Sequence, residues 1–166
     1  PGPHNPMTQE DKMTLPNDML LADVVSLLSS GHTVTLRAKG DSMFPFIVGG
    51  RDCVVLQRSR SVRVDDIVLA RLPGRGYVLH RVYGTAADTF VLMGDGNVCG
   101  TELCRAEDVC GTVLKIIRDG RYVVCRSPQE MRRVRLWKGL LPVRRYILAL
   151  CRRWRRWRRG KGNKGK

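Results

Sequence analysis

Ser42 lies in "KGDSMFPF", after Gly-Asp and before Met-Phe-Pro. A serine hydroxyl attacks a carbonyl at neutral pH only when a neighbouring base takes its proton and a third group holds that base. The chain has three histidines. His4 falls in the opening "PGPHNPM", which reads as an expression remnant with no fold information. His32 sits in the turn after a first helix. His80 sits mid-strand in "YVLHRV", where alternation turns it the same way as Val78 and Val82. An imidazole there is either a core histidine with a satisfied hydrogen bond or a base at an enclosed site. Ser42 is open in the same way. Asp and Ser side chains bond their own backbone in turns, but a plain turn does not account for the apolar residues that follow.

The elements that would position these residues follow from the hydrophobic period. "LPNDMLLADVVSLLSSG" predicts a helix capped by Asn17 or Asp18, with an apolar face from Leu20 to Leu28 and a stop at Gly31. The period then changes. Short β-branched runs follow, among them "HTVTLRAKG", "DCVVLQRS", "DDIVLARL", "GYVLHRVYG" and "TFVLMGDG", punctuated by Gly, Asp and Pro. The body is therefore expected to be mainly β. "IIRDGRYVV" predicts a hairpin, because Asp-Gly suits a primed two-residue turn. After Ser127-Pro128 the β pattern stops. "PVRRYILALCRRWRRWRR" predicts a C-terminal amphipathic helix with Pro142 near its start. The expected division is a leading stretch 1–12 (with a native start at Met7 or Met13), a β domain 13–127 with its leading helix, a cationic extension 128–159, and a disordered end 160–166.

Charge separates body from tail. Residues 1–125 hold 14 Lys/Arg and 14 Asp/Glu, whereas residues 126–166 hold 16 Lys/Arg and one acid, Glu130. A neutral body argues against a nucleic-acid-binding core, and a cationic tail argues for an anionic partner. Trp154, Trp157 and the arginines suit an anionic membrane surface. The alternative is that Tyr146, Ile147, Leu150 and Trp154 pack on the body with the arginines solvated. Nucleic acid is not the expected partner, since no base-reading module accompanies the tail. The six cysteines match no zinc or disulfide spacing and read as reduced thiols of a cytoplasmic protein. No metal and no cofactor is implied. No apolar run reaches the roughly 18 to 20 residues of a membrane span.

"GDSMFPFI", "DDIVLAR", "LHRV" and "LMGDGN" occur in an order and spacing that resemble the S24/S26 superfamily of serine peptidases. That superfamily includes signal peptidase I and the LexA-type self-cleaving repressors. The resemblance spans about Val34 to Tyr122 and implies the complex β-fold of that group. It identifies Ser42, in the "SMxP" box, with the nucleophile. His80 stands where the bacterial enzymes have a lysine and the endoplasmic-reticulum and archaeal signal peptidases a histidine; it would be the general base. Asp95, in "GDGN", is the first expected orienting acid, and Glu102, several residues on, the alternative. Asp66 is expected to brace a turn. The oxyanion hole would include the Ser42 backbone N–H. Gly40 stands where many signal peptidases have a second hydroxyl donor. Met43, Phe44, Pro45 and Phe46 would line the substrate groove.

The resemblance implies a serine endopeptidase that cleaves an extended peptide or protein substrate. Maturation of a dedicated peptide or leader in the cytoplasm, or at the inner membrane face with the tail as anchor, fits better than general secretion, which uses an N-terminal span. Two other classes compete. One is a catalytically weak or inactive binding module on the same fold, acting through its cationic amphipathic tail. The other is a LexA-like self-cleaving regulator, against which stands the single helix before Ser42, too little for a helix-turn-helix domain.

Overall fold

The computed structural model describes residues 18–58 and 61–161. The expected cap at Asn17, the stretch 1–12 with both candidate start methionines and His4, and residues 162–166 lie outside the described residues. Helix α1 runs over Asp18–Ser29. Eight strands follow: β1 Val34–Arg37, β2 Cys53–Gln57, β3 Ile67–Leu72, β4 Gly76–Ala86, β5 Thr89–Met93, β6 Glu102–Arg105, β7 Val109–Arg118 and β8 Arg121–Val124. They form one antiparallel sheet in the order β1-β2-β7-β3-β4-β5-β6, with β8 pairing β7. The mainly β expectation holds, as does the β7–β8 hairpin. Asp119 and Gly120 both adopt positive φ (48° and 74°), as a primed turn requires.

Central strand β3 has both faces covered. Ile67 and Leu69 join α1 residues Val24 and Leu28 in one core, while Val68, Ala70 and Leu72 join Val82, Phe90 and Leu92 in another. A continuous apolar run in place of alternation is the sequence mark of such a strand.

The C-terminal extension differs from the sequence reading. It is two helices, α2 over Pro128–Gly139 and α3 over Arg144–Lys161. The first was missed because its apolar positions, Met131, Val134 and Trp137, are thinly spread among arginines. A start signal was present nonetheless: Ser127 caps the helix by accepting from the Glu130 N–H at 3.3 Å, with Pro128 in the first turn.

Both helices lie on the loop that carries Ser42. Phe44, Phe46 and Val48 form a third core with Val134, Trp137 and Leu148. Burying each such side chain stabilises by roughly 1.5–3 kcal/mol. The ion pair from Arg155 to half-exposed Asp41 contributes at most about 1 kcal/mol. Apolar packing therefore holds the helices down. It uses the face of α3 that carries Arg144, Leu148, Cys151 and Arg155. Tyr146, Leu150 and Trp154, placed against the body in one alternative, are more than half exposed; of that set only Ile147 packs inward.

Candidate active site

Ser42 follows β1 in a tight loop. Gly40 supplies a positive φ of 70° there, and the Phe44 N–H donates back to the Asp41 carbonyl at 3.1 Å. The loop is held from the side by "GDGN" (residues 94–97). The Gly96 N–H donates to the Ser42 carbonyl at 2.8 Å. A Cβ on Gly94 would stand 2.4 Å from the Ser42 carbonyl oxygen, and one on Gly96 would stand 2.3 Å from that of Asp41. Only glycine allows so close an approach of two backbones.

His80 comes from the middle of β4. Val82, Leu92 and Glu102 occupy one cross-strand row over β4, β5 and β6. His80 lies two residues along β4 from Val82, on the same face. Glu102 therefore reaches it across the sheet. His80 Nδ1 stands 2.6 Å from Glu102 Oε2, with the His80 side chain 5% exposed. Arg75 donates to the other carboxylate oxygen, Oε1. With Nδ1 occupied by Glu102, Nε2 is the ring atom left to exchange a proton.

Ser42 and His80 border one cleft of about 550 Å³. Its walls are largely apolar, with Leu36, Leu56, Leu69 and Leu79 among them, and the basic Arg37, Lys39 and Arg75 also border it. Strand β1, an edge of the sheet, runs beside it.

The two carboxylates proposed as orienting acids are separated by the fold. Glu102 is the one on His80. Asp95 is fully buried and bonds Arg81, with Arg81 Nη2 to Asp95 Oδ2 at 2.7 Å and Nε to Oδ1 at 2.9 Å. Burial by itself would lower the Arg81 pKa; the charge and hydrogen bonds of Asp95 outweigh it and raise it. The Asp95 carbonyl accepts from Trp137 Nε1 at 2.9 Å. Asp66 braces a turn as expected, accepting from the Arg63 N–H at 2.8 Å and from Arg126 at 2.7 Å.

The residues expected to line a substrate groove lie elsewhere than this cleft. Met43, Phe44, Pro45 and Phe46 do not line the cleft. Met43 belongs to the α1 core, and Phe44 and Phe46 are buried under α2 and α3. For Phe44 and Phe46 the physical reason is the extension itself, which packs its own apolar side chains over them. Sequence reading missed Arg75 and the helix contacts to the loops. Arg144 reaches the Asn97 carbonyl at 3.4 Å, Arg152 the Gly96 carbonyl at 3.2 Å, and Arg155 Asp41 at 3.0 Å. Their only signal was arginine at helical spacing, which does not say what the arginines touch.

All six cysteines are free thiols. Among the described residues no group of His, Cys, Asp and Glu could hold a metal ion, and no helix is long and apolar enough to cross a membrane. A family model described as Peptidase S24-like matches residues 4–117. The match opens inside the stretch 1–12 and closes within β7, so α2 and α3 lie beyond it. A comparison with curated proteins found no match.

Proposed function

The chain belongs to the Peptidase S24-like family, and from that premise we propose that it is a serine endopeptidase using Ser42, His80 and Glu102. The observation that carries this reading is the 2.6 Å contact of Glu102 with His80 Nδ1 at a cleft that Ser42 also borders. Glu102 holds the imidazole with Nε2 free for the serine. His80 takes the Ser42 proton as Oγ attacks the scissile carbonyl, and Glu102 stabilises the imidazolium that results. The Ser42 N–H faces the developing oxyanion. His80 then protonates the leaving amine, and water, activated by the same imidazole, releases the acyl group from Ser42. The substrate lies extended along the free edge of β1, adding a strand to the sheet. The apolar cleft takes its side chains, and the basic residues beside it favour substrates with acidic groups. The cationic C-terminal helix favours a dedicated peptide or leader matured at the inner membrane face.

The test is digestion of a peptide library, with new termini read by mass spectrometry. The wild-type chain should create a defined set of cleavages. Ser42→Ala should reduce them by about a thousandfold or more. Cleavage that persists undiminished in Ser42→Ala sinks the assignment.

A further inference from the structure

Helix α3 has two apolar stripes. One, Leu148 with Ile147 and Cys151, is used by the body. The other runs through Tyr146, Leu150 and Trp154 and faces solvent, with exposures of 56, 68 and 54%; Val143, just before the helix, is 45% exposed. At about 3.6 residues per turn these positions lie on the side of the helix opposite Leu148. Trp157, 56% exposed, continues the line. Arg145, Arg153, Arg156 and Arg158 flank the outer stripe, and α3 contains no acidic residue.

We propose that this outer face of α3 docks on the surface of a bilayer containing anionic lipid, with Tyr146, Leu150 and Trp154 entering the headgroup boundary and the flanking arginines meeting lipid phosphates. Charge complementarity selects this occupant. A second copy of the chain would set arginine against arginine. A narrow apolar line with tryptophan and tyrosine between cations matches the interface between headgroups and acyl chains. The packing of the inner stripe means that α3 is already folded and oriented before it meets lipid, so docking need not order a free tail.

The placement ties the surface to the cleft. Arg155 bonds Asp41 and lies over the Phe44 ring at 4.9 Å. Both residues neighbour Ser42. A chain resting on lipid through α3 therefore holds its serine loop within about one helix diameter, roughly 10 Å, of the headgroups. Docking itself does not depend on Ser42 being a nucleophile, and the two readings fail separately.

The experiment is sedimentation of the full chain with vesicles of phosphatidylcholine alone and of phosphatidylcholine with phosphatidylglycerol. Point variants are needed because truncation would uncover Phe44 and Phe46. The wild type should pellet with the anionic vesicles, and less so as salt rises. Leu150→Glu/Trp154→Glu should weaken that binding at least tenfold while the urea midpoint stays put, since both side chains face solvent. Arg153→Glu/Arg156→Glu should weaken it as well. Equal binding to neutral and anionic vesicles, or binding unchanged in the Leu150/Trp154 variant, overturns the proposal. So does a self-association, or binding of an RNA oligonucleotide, that this variant abolishes while leaving vesicle binding intact.

Discussion

His80 and Arg81 are consecutive on β4, so their side chains leave opposite faces of the strand. Each meets a carboxylate at hydrogen-bond distance, 2.6 Å for His80 with Glu102 and 2.7 Å for Arg81 with Asp95. The surroundings differ. Glu102 keeps 16% of its side chain exposed, and its imidazole partner borders the cleft that Ser42 shares. Both members of the Arg81–Asp95 pair are sealed, with Phe46 stacked on the guanidinium at 4.9 Å and Trp137 bonded to the Asp95 carbonyl. In the proposed mechanism the first pair exchanges a proton with a bound substrate. The other joins the "GDGN" loop to the sheet and to α2. On the proposed reading, the setting of each pair on the two faces of one strand separates chemistry from support.

Removing each acid in turn distinguishes the two faces most clearly. Glu102→Gln should lower turnover by roughly a hundred- to ten-thousandfold with the stability of the chain nearly unchanged, because the imidazole loses its orienting anion. Steady-state rates alongside urea denaturation check this. Asp95→Ala should do the reverse. It leaves a buried guanidinium uncompensated and should destabilise by about 3–5 kcal/mol, read as a fall in the urea midpoint. If Glu102→Gln unfolds the chain while Asp95→Ala only slows it, the two roles are exchanged. A smaller effect is expected where the two faces connect. Gly96→Ala forces a Cβ to within 2.3 Å of the Asp41 carbonyl oxygen. The Ser42 loop must shift, at a cost of about 1–3 kcal/mol. Gly84→Ala, whose Cβ would meet Val91 at an ordinary 3.8 Å, is the matched control. Equal midpoints and rates for the two alanine variants would mean that the "GDGN" loop does not brace the serine.

The motifs around these residues were legible because they are local. Ser42 after Gly-Asp, His80 in "LHRV" and glycines on either side of Asp95 all stand within a few residues of the turn or strand that explains them. Glu102 appeared only as the alternative to Asp95. Choosing between them required knowing that Val82, Leu92 and Glu102 fall in one row across three strands, a matter of pairing register. The "GDGN" glycines were read as part of a box. Their physical role, letting one loop backbone lie against another, emerges only when residues 41–42 and 94–96 are seen together.

The sequence alone determined the mainly β body, the β7–β8 turn, the concentration of charge after residue 125, and the strand and loop that carry His80 and Ser42. These depend on period, composition and turn chemistry, which act over short stretches of chain. Tertiary structure decided which acid serves the histidine, where Phe44 and Phe46 point, and which stripe of α3 the body uses. Those outcomes depend on contacts between residues tens of positions apart. An amphipathic helix with apolar residues on both sides does not specify which side it buries. Here Phe44, Phe46 and Trp137 settle it, by offering Leu148 a core and leaving Leu150 and Trp154 to solvent.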